Sequence, residues 1–74
     1  DYVSRSEAKR LLANLEKFSE IVLDFRDVKS VGQGFADEIF RVFAQRHPAI
    51  SIAATNANPV IDAMIRHAAS SARA

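Results

Sequence analysis

From Arg5 to Phe18 the apolar residues Ala8, Leu11, Leu12, Leu15 and Phe18 recur at helical spacing, so the chain should open with an amphipathic helix. Ser4 and Glu7 have the S-x-x-E spacing of a capping box, which places the helix start near Arg5. Ile21 to Phe25 is a short run rich in β-branched residues and reads as a buried strand. An irregular connection from Arg26 to Gly34 follows, in which Gly32 and Gly34 flank Gln33 and allow positive φ or the close approach of another backbone. A second helix is expected over about Phe35 to Arg46, with Phe35, Ala36, Ile39, Phe40 and Phe43 on one stripe. His47-Pro48 should end it, because proline disfavours helical angles for the residue before it. Ile50 to Thr55 reads as a second strand. Asn58-Pro59 fits an N-cap with proline at the first helical position, opening a third helix to about Ala68 with Ile61, Met64, Ile65 and Ala68 inward. Residues Ala69 to Ala74 are small or polar and are expected to fray.

The order helix, strand, helix, strand, helix predicts a single α/β domain over residues 1–74, with a right-handed crossover, parallel strands and helices packed on the sheet. Two strands give three amphipathic helices little to cover. Strands upstream of Asp1, or a second chain as in a homodimer, are therefore expected to complete the sheet, and the chain is expected to be the C-terminal part of a longer protein. A chain of 74 residues buries only roughly 60% of its unfolded surface, so stability should be marginal.

Ten basic and nine acidic residues leave a net charge of +1, which gives no long-range field for gathering nucleic acid. There is no cysteine, hence no disulfide or thiolate metal site, and no apolar run near the roughly 20 residues of a membrane span. These features point to a cytoplasmic setting with neither nucleic acid nor membrane as partner.

Little in the sequence points to catalysis. Asp24 and Asp27 lie near a strand end, where a phosphoacceptor or a Mg²⁺ ligand often sits, yet the chain is too short for a receiver domain and lacks its full acidic arrangement. Asp37 and Glu38 are neighbours about 100° apart on a helix, so they do not face each other as an acid–base pair; first-turn stabilisation or a partner contact suits them better. Arg5, Lys9, Arg10 and Lys17 suit a solvated helix face. His47 and His67 are each expected near a helix C-terminus, and neither has a second ligand at metal spacing. The five phenylalanines, Phe18, Phe25, Phe35, Phe40 and Phe43, have core spacing. No metal and no cofactor is expected. Ser30 is the remaining loop hydroxyl. The Gly32-Gln33-Gly34 backbone, at a helix N-terminus, suits either a carboxylate or carbonyl from a protein partner or a purely structural turn capped by Gln33.

The stretch L-D-F-R-D-V-K-S-V-G-Q-G-F-A-D-E-I-F, Leu23 to Phe40, resembles the strand, loop and helix of STAS domains, the fold of bacterial anti-sigma-factor antagonists. It is more similar still to the STAS-like family of unknown function, whose members show S-R-S-x-A-K-R-L-L, L-D-F, G-Q-x-F-A-D-E-[IL]-F-R and N-x-N-x-x-[VI]. These match Ser4 to Leu12, Leu23 to Phe25, Gly32 to Arg41 and Asn56 to Val60. The resemblance implies a small mixed sheet with helices on one face and a non-catalytic, regulatory signalling role through protein–protein contacts. The implied partner is a GHKL-type ATPase or kinase, or a fused regulatory domain. In the anti-sigma antagonists a loop serine is phosphorylated; here Gln33 stands at that position and has no hydroxyl, so that switch does not carry over. The implied contact residues are Ser30, Gly32, Gln33, Gly34, Asp37 and Glu38. A receiver-like domain using Asp24, or a structural dimerisation element, are the alternatives.

Overall fold

The computed structural model of the chain describes residues 4–72. They form α1 (Arg5–Leu12), β1 (Glu20–Asp24), α2 (residues 33–46), β2 (Ser51–Thr55) and α3 (Pro59–Ala72), the order the apolar pattern predicts. Within α2, a first turn Gln33–Asp37 is α-helical, the middle Glu38–Phe43 is π-helical and the end Ala44–Arg46 returns to α.

The first helix is shorter than its sequence pattern. It stops at Leu12, and tighter turns follow, with the amide of Leu15 on the carbonyl of Leu12 (3.0 Å) and that of Phe18 on Leu15 (3.1 Å). Tighter winding advances each side chain by about 120° rather than 100°, so that Leu15 still packs half-buried against the core while Phe18 leaves the buried face. Phe18 ends 49% exposed, with the Lys17 ammonium 5.7 Å from its ring centre, and Leu11 is 45% exposed. Both were expected inward. The capping box does not form either: the Ser4 hydroxyl makes no cap bond, although its carbonyl accepts the Ala8 amide (3.1 Å). The entrance to α1 is held from outside the helix, through Arg5.

β1 and β2 pair in parallel, Glu20 opposite Ser51 through Asp24 opposite Thr55. Only one face of this sheet is covered. Ile21 is buried and Leu23, Ile52 and Ala54 are half-buried, whereas Glu20, Val22, Asp24, Ser51, Ala53 and Thr55 are exposed. The first strand is thus half-buried rather than buried on both faces, as the placement of all three helices on one side requires. Phe25, just past the strand, donates its amide to Thr55 (2.8 Å) and is buried.

Gly32 caps α2 with φ −74° and ψ 152°, and its carbonyl accepts the amides of Phe35 (3.1 Å) and Ala36 (3.3 Å). Neither glycine has positive φ; that conformation occurs instead at Asp27 (65°) and Asn56 (58°), just beyond the two strands. The helix begins at Gln33, two residues before its apolar stripe. His47 leaves the helix at φ −130°, its ring 4.5 Å from that of Phe43. α3 starts as its Asn-Pro signal predicts: the Asn58 side-chain carbonyl accepts the Ile61 amide (2.9 Å). It continues through Ala72, so residues 69–72 are helical rather than frayed, and His67 lies well inside the helix; Arg73 and Ala74 lie outside the described residues.

The core lies between the sheet and the helices, with Ile39 and Ile61 fully buried at its centre and Leu12, Phe25, Val31, Phe35, Phe40 and Phe43 around them. Among the described residues no helix is long and apolar enough to cross a membrane.

Asn58 has a second task, donating its side-chain amide to the carbonyl of Lys29 (2.9 Å) and so tying the loop before α2 to the start of α3. Asn58→Ala removes both the cap and this tie. The expected loss is about 1–2 kcal/mol, a fall in midpoint of several degrees in a thermal melt followed by circular dichroism; an unchanged midpoint would show that water replaces both bonds.

Candidate functional site

Two of the four segments that carry the family resemblance, Ser4 to Leu12 and Gly32 to Arg41, lie together in space. Arg5 of α1 reaches the first turn of α2, giving 2.9 Å to Asp37 Oδ2 and 2.9 Å to Glu38 Oε1. Arg41, one turn further along, grips both oxygens of Asp37, with 2.7 Å from Nη2 to Oδ2 and its Nε on Oδ1. Two guanidinium groups and two carboxylates thus form a continuous chain of ion pairs with zero net charge. Asp37 and Glu38 project in different directions, as adjacent helix residues must, and a single planar fork spans both.

Gly34 makes this approach possible. A β-carbon at that position would sit 3.2 Å from Arg5 Cβ and 3.5 Å from the Arg5 amide nitrogen. The glycine is needed for close packing of the chain's own first helix, not for an unusual backbone angle.

The network shifts its members in the expected directions. The Asp37 carboxyl is held down to about 2, chiefly by the hydrogen bonds from Arg41, with burial opposing and Arg5 adding to the lowering. Arg5 is pushed up first by Asp37 and then by Glu38, and Arg41 is pushed up by Asp37. Glu38 is 6% exposed, the one charged residue in the described core, and its charge is met by Arg5. Removing the partner of a buried charge costs more than the pair itself contributes.

Arg5 and Asp37 of the network line a groove of about 540 Å³ between α2 and α3. Gln33 and Gly34 line it with them, His67 and Ser71 of α3 add further polar groups, and Ala36, Ala63, Met64 and Ala68 supply small and adaptable apolar surface. Of the six loop and helix residues that the resemblance points to, Gln33, Gly34 and Asp37 meet in this groove. Gly32 is buried as the helix cap, and Ser30 is exposed on the preceding loop, outside the groove lining. Glu38 faces the other side of the α1–α2 contact, where it lines a second depression of about 330 Å³ with Lys9, Arg46 and His47. Gln33 is exposed as the first helical residue rather than acting as the cap.

Arg5 and Arg41 are the site residues that sequence reasoning missed. The spacing of four between Asp37 and Arg41 signals that pair, but nothing local links Arg5 to residues 32 and 33 positions away. Asp24 takes a structural part: its Oδ1 accepts the Asn56 side-chain amide (2.9 Å) and the Arg26 backbone amide (2.9 Å), which lower its carboxyl in that order. Among the described residues no three His, Cys, Asp or Glu side chains cluster closely enough to hold a metal ion.

A family model described as a STAS-like domain of unknown function (DUF4325) matches residues 7–62, well over half of the chain. Neither a curated protein nor a solved structure matches.

Because the folded carboxyl of Asp37 lies below its unfolded value near 3.9, its stabilising contribution is complete above about pH 5 and is lost as pH falls through about 2. In urea titrations the wild type should exceed Asp37→Asn by about 1–2 kcal/mol at pH 6, and the gap should close on the way to pH 2. A gap that does not change with pH would mean that the network contributes through packing and not charge. Gly34→Leu should melt at a lower temperature than wild type by forcing α1 off α2; an equal melting temperature would show that α1 yields freely.

Proposed function

The chain belongs to the STAS-like domain family of unknown function, and from that membership and the groove geometry we propose that it is a non-catalytic regulatory module that binds another protein across α2 and α3. The observation that carries the reading is the convergence of Gln33, Gly34 and Asp37, all at the helix start where STAS domains present their regulatory loop, with Met64 and His67 of α3 in one open groove. A groove of mixed character with a methionine wall suits a protein segment: the apolar strip takes a side chain, and the polar ends orient the backbone.

The paired state of the charged groups supports binding rather than chemistry. A general acid or base works with a carboxyl poised near neutral pH, whereas Asp37 is fixed as an anion by two arginines. The exposed side chain at the phosphoacceptor position is an amide, so engagement is controlled by shape and hydrogen bonding at Gln33 or by modification elsewhere. A cytoplasmic partner of the GHKL ATPase type, in the same protein or a separate one, belongs to this reading.

Gln33→Arg and Ala63→Glu change exposed positions in the groove and should leave the far-ultraviolet circular dichroism spectrum as in the wild type. Both should reduce by tenfold or more the affinity for the protein that co-purifies with the full-length gene product, read by surface plasmon resonance. Equal affinity in both variants would remove the groove from the interface.

A further inference from the structure

Most of the positive charge in the fold is already matched. Arg5, Arg10, Arg41 and Arg66 each meet a carboxylate, and the Lys17 ammonium meets the Phe18 ring. Among the described residues Lys9, Arg26, Lys29 and Arg46 have no such partner. Arg26 and Lys29 stand on the loop before α2, whereas Lys9 of α1 and Arg46 of the last turn of α2 line one depression of about 330 Å³.

The floor of this depression is apolar. Leu12, Val42 and Phe43 form it, and the Phe43 ring is backed by the His47 ring at 4.5 Å. Leu12 and Phe43 belong to the buried core, so the packing of α1 on α2 fixes the floor in place. Two carboxylates line the depression as well. Glu38 is buried and held by Arg5, which leaves Glu16, exposed beyond the end of α1, as the anion there without an ion pair. Two uncommitted cations stand against that one uncommitted anion, so the free charge is positive with His47 counted neutral. No strand residue lines the site, and it shares no lining residue with the α2–α3 groove.

We propose that the depression between α1 and α2 is a docking site for a segment of a partner protein in which an aliphatic residue is flanked by Asp or Glu. Charge complementarity selects this occupant. Free cations on two facing helices with an apolar floor between them match acids on both sides of an apolar side chain. An exposed ion pair contributes little by itself, so affinity comes from the side chain seated on Leu12, Val42 and Phe43, and selectivity comes from the acids over Lys9 and Arg46. Nucleic acid suits the site less well, because two free cations neutralise few phosphates and half of the floor is aliphatic. The contact is a second interface, beyond the one proposed between α2 and α3.

The probe is the capped peptide Glu-Glu-Leu-Glu-Glu, with Lys-Lys-Leu-Lys-Lys and Glu-Glu-Ser-Glu-Glu as controls, titrated into the full chain at low salt and followed by amide chemical shifts. The acidic leucine peptide should shift the amides of Ala13, Val42 and Phe43 and bind about fivefold more tightly than either control. Combining Lys9→Glu with Arg46→Glu, both at exposed positions, should abolish the preference for acid. Combining Arg26→Glu with Lys29→Glu makes the same change in net charge at the free cations of the loop and should leave the preference within about twofold. An equal loss in the loop variant would reduce the effect to net charge and overturn the proposal. So would equal affinity for the three peptides, shifts centred on Gln33 and Met64, displacement of the peptide by a single-stranded oligonucleotide at the same concentration, or no binding of any peptide.

Discussion

Arg5 holds the entrance of α1 against the first turn of α2, and much of the architecture follows from that contact. The helix has no side-chain cap of its own and no more than eight residues, too few to be stable alone in water. Its order comes from burying Ala8 and Leu12 and from the guanidinium fork that meets Asp37 and Glu38. The fork can reach both carboxylates only because Gly34 lets the two backbones come close. Charge, close approach and burial are one constraint here: a side chain at position 34 moves Arg5, and moving Arg5 strips a buried glutamate of its partner.

Glu38–Phe43 carries Glu38, Ile39, Phe40 and Phe43 into the interior. A regular α-helix is the lower-energy backbone in isolation. In the fold, the wider winding coincides with a segment that is buried against α1 on one side and α3 on the other, and that also directs Arg41 back onto Asp37. At the start of α3 Asn58 plays the matching part, capping that helix while holding the loop that leads into α2. Of these two polar anchors, Arg5 also lines the groove between α2 and α3.

The groove that results is open, mixed in polarity and lined by side chains of α1, α2 and α3.

The sequence by itself determined the number and order of the helices and strands, the end of α2 at His47-Pro48 and the cap at Asn58, because each is written in neighbouring residues: apolar period, a proline's steric rule, an Asn-Pro start. Through the family resemblance it also marked Ser30, Gly32, Gln33, Gly34, Asp37 and Glu38 as contact residues, of which Gln33, Gly34 and Asp37 share the groove. Only the tertiary structure decided where α1 stops, since Leu15 and Phe18 continue the helical period while tighter turns take the backbone off it. It also decided that Gly34 serves close packing rather than a turn, that Arg5 joins Asp37 and Glu38, and that Glu38 is buried away from its neighbour. These depend on contacts more than thirty residues apart along the chain, and local periodicity contains no term for such a distance.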